Sequence, residues 1–161
     1  MNKIEIKSVL TVYEDVSELP EDIQQLMNIA VNARKKAYAP YSKFRVGAAL
    51  SLENGEVVIG NNQENASYPS GLCAERVAIY QAGAKYPDLK IKSLAISASS
   101  DIKETLTPIP PCGACRQSIS EYEIKQGEPI SIYFMGKTGR IIKADSLKDL
   151  LPLTFDKDQL I

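Results

Sequence analysis

Two short segments decide how this chain is read: Leu72-Cys73-Ala74-Glu75-Arg76 and Pro110-Pro111-Cys112-Gly113-Ala114-Cys115-Arg116-Gln117. Together they hold all three cysteines. Each opens a predicted helix, over 73–83 and 112–123, where unpaired backbone N–H groups and the positive helix pole favour thiolate over thiol. Cys112 and Cys115 are three apart, so a first helical turn aims both sulfurs at one point. Zinc binds thiolate at ~2.3 Å, and three protein ligands leave the fourth tetrahedral position open, as catalytic zinc sites do. A Cys-x-x-Cys alone fits a redox pair or two core residues equally well. The third cysteine, followed by Ala-Glu, shifts the reading to metal. Glu75, two residues past the first ligand, is the candidate for managing protons there, with simple stabilisation of the helix dipole as the plainer alternative. Arg76 and Arg116 directly follow the cysteines and are placed to offset the charge of three thiolates.

What the chain lacks narrows the chemistry further. It has no histidine among its 161 residues, which excludes a Ser-His-Asp triad, a Cys-His pair, an H-E-x-x-H zinc site and His-ligated haem. Lys+Arg number 19 against Asp+Glu 20, leaving no basic excess for a phosphate backbone, so nucleic acid is not expected as a partner. With 44% hydrophobic and 24% charged residues, the composition is that of a globular domain. Three cysteines in a chain of this size do not suggest a disulfide framework. Charges among residues 1–7 interrupt what a signal peptide would need, and no apolar run approaches the ~18 residues of a membrane span. A cytoplasmic, soluble protein with no membrane partner is expected.

Working outward from the cysteines, residues 4–13 alternate and read as a strand of an N-terminal extension. Beyond Pro20, with Glu21 and Asp22 in its first turn, Ile23, Leu26, Ala30, Ala33 and Ala37 recur at helical spacing up to Pro40. Asn54-Gly55 joins two apolar runs, 44–52 and 56–60, as a hairpin. Strands are predicted at 91–98, 129–135 and 140–143, with a short closing helix at 146–151. Helices alternating with short apolar strands predict a layered α/β domain, with helices on both faces of a mixed sheet.

The residues also resemble a known family, the homotetrameric cytidine deaminases, whose zinc is held by three cysteines. The likeness runs from about Ile23 to about Leu160. It is carried by Tyr41-Ser42-Lys43-Phe44-Arg45-Val46-Gly47-Ala48-Ala49, by Asn62-Gln63-Glu64-Asn65-Ala66-Ser67-Tyr68, by the two cysteine segments, and by Leu150-Leu151-Pro152 before Phe155. The resemblance implies a three-layer α/β/α fold with a mixed five-stranded sheet, a catalytic domain over 21–161 and an extension over 1–20. It further implies one Zn²⁺ per chain on Cys73, Cys112 and Cys115, with Glu75 as general acid and base. Arg76 corresponds to the family's donor to a ligand sulfur, and Ala74 to a substrate-contacting position. Asn62 and Glu64 match the pair that hydrogen-bonds sugar hydroxyls, and Phe44 matches an aromatic packing on the pyrimidine. Tyr68 and Phe155 match residues contributed across subunit interfaces of a homotetramer with shared sites; read blandly, Phe44 and Phe155 are core.

The implied activity is deamination of cytidine and 2′-deoxycytidine to the uridine forms with release of ammonia, as in pyrimidine salvage. Three features depart from the family: Asn61 stands where a cysteine is common, the 99–107 stretch is longer, and the shortest members lack the N-terminal extension. Two rivals remain. A blasticidin S deaminase shares the zinc segments, but usually lacks Arg after Cys-Ala-Glu and differs in the sugar-recognition stretch. A non-catalytic zinc-stabilised binding module would not need Glu75 or an open coordination position.

Overall fold

The computed structural model describes residues 1–160; Ile161, the last residue of the expected catalytic domain, lies outside them. Helix α1 spans Glu21–Lys35, with two acids in its first turn and Arg34 and Lys35 in its last, matching the helix dipole at both ends. It stops at Lys35, short of the expected Pro40. The chain from Ala37 onward is instead drawn out: the Tyr38 N–H donates to the Asn62 carbonyl (3.0 Å), and the Tyr38 carbonyl accepts from Glu64 N–H (2.9 Å).

Strands β2 (Phe44–Leu52) and β3 (Val57–Asn61) form the expected hairpin, with Gly55 at φ 87° in the turn. A positive φ of this kind strains any residue with a Cβ, which is why glycine closes the turn. Helix α2 (Ala74–Lys85) leads into β4 (Ile91–Ser100), and α3 (Gly113–Gln126) into β5 (Ser131–Met135). Gly127, left-handed at φ 68°, ends α3. β6 (Ile141–Ala144) follows, and the expected helix at 146–151 is a single 3₁₀ turn, Leu147–Asp149.

The sheet has six strands, not five. Taking the N-terminal strand Leu10–Tyr13 as β1, the order is β1-β6-β5-β4-β2-β3, with only β4 and β5 parallel. The extension supplies the sixth strand because Leu10–Tyr13 pair antiparallel with 141–144 and cover an edge that would otherwise present unpaired backbone groups. β6 is four residues long, so the ladder holds only four of the ten residues expected in that strand, and residues 4–9 stay exposed.

Alternation along the strands builds the layers. Ala49, Ala95, Tyr133 and Met135 pack under α1 with Leu26, Met27 and Ala30. The opposite parity, Ala48, Leu50, Leu94, Ile96, Ile132 and Phe134, packs against Ala78 and Ile79 of α2 and Ile119 of α3. The expected helices on both faces are present, and α2 and α3 lie side by side on one of them.

Candidate metal and substrate site

Neighbouring helices bring the three cysteines together. Cys73 is the residue just before α2 and Cys112 the residue just before α3; neither side chain makes a capping hydrogen bond, so both sulfurs are free of the backbone. Cys115 sits fully buried in the first turn of α3. The Sγ atoms of Cys73 and Cys112 are 3.8 Å apart, those of Cys112 and Cys115 3.5 Å, and all three lie within 4.8 Å of one another. Tetrahedral ligation at ~2.3 Å per bond places sulfurs about 3.8 Å apart, so this spacing suits a shared zinc ion.

The electrostatics agree with the geometry. A hydrogen bond from Cys115, helped by the Arg76 guanidinium, draws the Cys73 thiol down to about 5 against the effect of burial. The same contact with Cys73, together with burial, pushes Cys115 above the ordinary thiol range. Crowded sulfurs cannot all ionise by themselves, and a divalent cation is what allows it. Arg76 places Nη2 4.0 Å from the Cys73 sulfur, and its buried Nε has no hydrogen-bond partner. Glu75 is 5% exposed; burial drives its carboxyl up to about 7, with a hydrogen bond from its own backbone N–H pulling the other way and the Cys73 charge adding to the rise. A carboxyl poised near neutrality can both take up and give up a proton.

Beside the sulfurs opens a cavity of ≈ 490 Å³, lined by Cys73 and Arg76 on one side and by Asn62, Glu64, Tyr41 and Tyr68 among others. Gln63 joins its walls: its backbone pairs with Leu72 in both directions (2.9 and 3.0 Å), setting Asn62 and Glu64 next to Cys73.

Residues 20–127 match the family model described as the cytidine and deoxycytidylate deaminase zinc-binding region. The chain belongs to that family. It is 38% identical to a cytidine deaminase of Halalkalibacterium halodurans over 86% of its length and 98% of the relative's. It is 39% identical to one from Sporosarcina psychrophila, over 86% of this chain and 95% of that one. Among solved structures, the cytidine deaminase of Burkholderia pseudomallei superposes with a TM-score of 0.69 at 38% identity, covering 81% of this chain and 97% of that one. The expected α/β fold of this family is therefore the observed one.

The deaminase site residues expected from sequence do not all face the cavity. Cys73, Asn62, Glu64, Tyr68 and Arg76 line the cavity, with Glu75, Ala74 and Cys115 buried and Cys112 exposed. Asn62 turns its amide on β2: Oδ1 accepts from Val46 N–H (2.8 Å) and Nδ2 donates to the Phe44 carbonyl (2.9 Å). Glu64 accepts from the Tyr41 and Ser42 N–H groups (2.9 and 3.2 Å) and from the Ser42 hydroxyl. These bonds hold its carboxyl below the usual range although burial acts the other way. Phe44 is half-buried at the start of β2, outside the cavity lining. Phe155 also stands outside it, 57% exposed, its carbonyl accepting from Gln117 Nε2 (2.7 Å).

Sequence reasoning assigned no role to Tyr41 and Ser42, which wall the cavity and grip Glu64. Their only signal was their place within the motif before β2. Arg116 was expected to offset thiolate charge; instead its Nε donates to the Pro111 carbonyl and its Nη1 to the Leu150 carbonyl, both at 2.8 Å. Two carbonyls oriented toward it claim that guanidinium, and of the two arginines it is Arg76 that is bonded to a cysteine sulfur.

Proposed function

We propose that this chain deaminates cytidine and 2′-deoxycytidine hydrolytically, with Cys73, Cys112 and Cys115 holding one zinc ion. The observation that carries the reading is the buried Glu75 carboxyl, raised to about 7, beside three sulfurs at zinc-ligand spacing. When bound, zinc supplies an activated water for attack at C4 of the pyrimidine. Glu75 takes up one proton from that water and places it on N3, then takes the second from the oxygen newly bonded to C4 and delivers it to the amine, which leaves as ammonia when the C4–N bond breaks. Arg76 balances the thiolates, and Ala74, buried between Cys73 and Glu75, keeps the substrate-contacting position that the resemblance implies.

Asn62 retains one amide N–H and one lone pair beyond its bonds to β2, and Glu64 keeps acceptor capacity beyond its bonds to 41–42. Both can therefore meet sugar hydroxyls at the cavity wall; a base-packing role for Phe44 rests on the family resemblance, since Phe44 stands outside the cavity lining. Residues 21–161 form the catalytic unit and 1–20 the appended segment. The cavity is open on one side, and Tyr68 at 77% exposure and Phe155 at 57% are large apolar groups without cover. Both suit a homotetramer in which neighbours complete each other's sites. No helix among the described residues is long and apolar enough to cross a membrane. The thiols call for a reducing compartment, and we place the protein in the cytoplasm.

Incubation with cytidine, deoxycytidine and free cytosine, followed by ultraviolet absorbance and ammonia release, tests the reading. Both nucleosides should be converted and cytosine poorly, with activity lost to a chelator and restored by zinc. Equal efficiency on free cytosine would remove the sugar contacts from the reading, and no turnover of any of the three would overturn it.

A further inference from the structure

Cys112 is the exposed member of the cysteine group and has no side-chain capping bond, so its position depends on the peptide groups around it. Both flanking carbonyls are bound by one residue. Arg116 N–H donates to the Cys112 carbonyl (2.9 Å), and Arg116 Nε to the Pro111 carbonyl (2.8 Å). The guanidinium does not end there. Its Nη1 donates to the carbonyl of Leu150, 34 residues further along the chain, at 2.8 Å.

Leu150 is itself firmly placed. Its N–H and that of Leu151 both donate to the Leu147 carbonyl at 2.8 Å. Leu147 is fully buried, and its N–H donates to Glu123 Oε1 (2.8 Å), while Glu123 Oε2 accepts from the Ser146 hydroxyl (2.9 Å). Glu123 and Arg116 are seven residues apart, two turns along one face of α3. Gln117 adds a third tie, to the Phe155 carbonyl. The segment 146–155 is thus fastened to the helix that carries Cys115, and the fastening nearest the sulfurs is Arg116.

We infer that Arg116 is a positioning residue: its guanidinium locks the Pro111 carbonyl beside Cys112 to the Leu150 carbonyl, so that the C-terminal segment buttresses the metal-binding loop. This rests on reading Cys112 as a ligand. Arginine suits the task because its planar fork presents several donors at fixed angles, whereas a lysine ammonium is a single point on a flexible stem. Contacts that orient a ligand from behind typically account for ~10- to 100-fold in metal affinity.

The test uses full-length Arg116→Gln and Arg116→Lys, loaded with zinc or with Co²⁺. Zinc retention is measured by competition with a chromogenic chelator, the thiolate-to-cobalt bands report site geometry, and hydrogen exchange of the 147–155 peptide reports the segment. Arg116→Gln should weaken zinc retention by about tenfold or more, alter the cobalt spectrum and speed exchange over 147–155. Arg116→Lys should fall between Gln and wild type. Wild-type metal affinity and cobalt bands in Arg116→Gln would overturn the inference. If that variant does not fold, the same wild-type readings in Arg116→Lys would do so. None of these readouts needs turnover, so a protein that failed to deaminate cytidine would leave the result on Arg116 standing.

Discussion

Glu75 and the three cysteines lie close together, and the proposed mechanism gives them separable tasks. Glu75 is buried at the start of α2, two residues beyond Cys73, and has no place among the three sulfurs that can share an ion. Glu75→Gln keeps the shape and removes the titrating group. It should retain one zinc per chain by elemental analysis while kcat falls by several orders of magnitude, since the proposal makes one group both acid and base. Near wild-type turnover with zinc in place would remove Glu75 from the mechanism. At this scale the sequence was informative within each segment, because Cys73 with Glu75, and Cys112 with Cys115, lie within one helical turn, whereas the meeting of Cys73 with Cys112, 39 residues apart, depends on α2 and α3 lying side by side. Asn62 was less legible. Its bonds to Phe44 and Val46 depend on the register of β2 with β3, which one residue type cannot announce.

Helix α2 delivers Cys73 and Glu75, so its seating on the sheet fixes the site. That seating depends on Gly60 in β3: a Cβ there would stand 2.3 Å from the Ala74 carbonyl oxygen and 2.6 Å from the Ala78 nitrogen. Backbone of this kind cannot yield as a flexible side chain can. Gly60→Ala should push the first turns of α2 outward, costing ~1–3 kcal/mol of stability as overpacking does, and weakening zinc retention with it. Thermal melts and chelator competition on the same sample check both effects, and unchanged values would show that α2 is not seated by this contact. The hairpin was legible from Asn54-Gly55 and α1 from its apolar spacing, and helices were expected at both cysteine segments. The ends of α1 and β1 were not, because they are set by where a partner strand begins: Tyr38 is drawn to Asn62–Glu64, and Leu10–Tyr13 find four residues of β6.

At the scale of the whole molecule the ≈ 490 Å³ cavity is open to solvent, and Phe155 is held out on a segment tied down by Gln117. An assembly that shares sites should scatter light as about four times the 17.7 kDa chain. Phe155→Ala should raise KM for cytidine while zinc content and fold persist. A fully active monomer, or unchanged kinetics in Phe155→Ala, would remove the shared site and leave the metal chemistry intact.

By itself the sequence determined the donor set, the absence of histidine chemistry and the alternation of helix and strand, all of which follow from residue type and spacing within a few turns of chain. Only the tertiary structure decided that the N-terminal extension adds a sixth strand, that Gln63 brings Glu64 and Cys73 to one cavity, and that Arg116 serves carbonyls rather than sulfurs. Those outcomes join groups from distant stretches of chain, and packing of the layers sets such distances, which local periodicity does not encode.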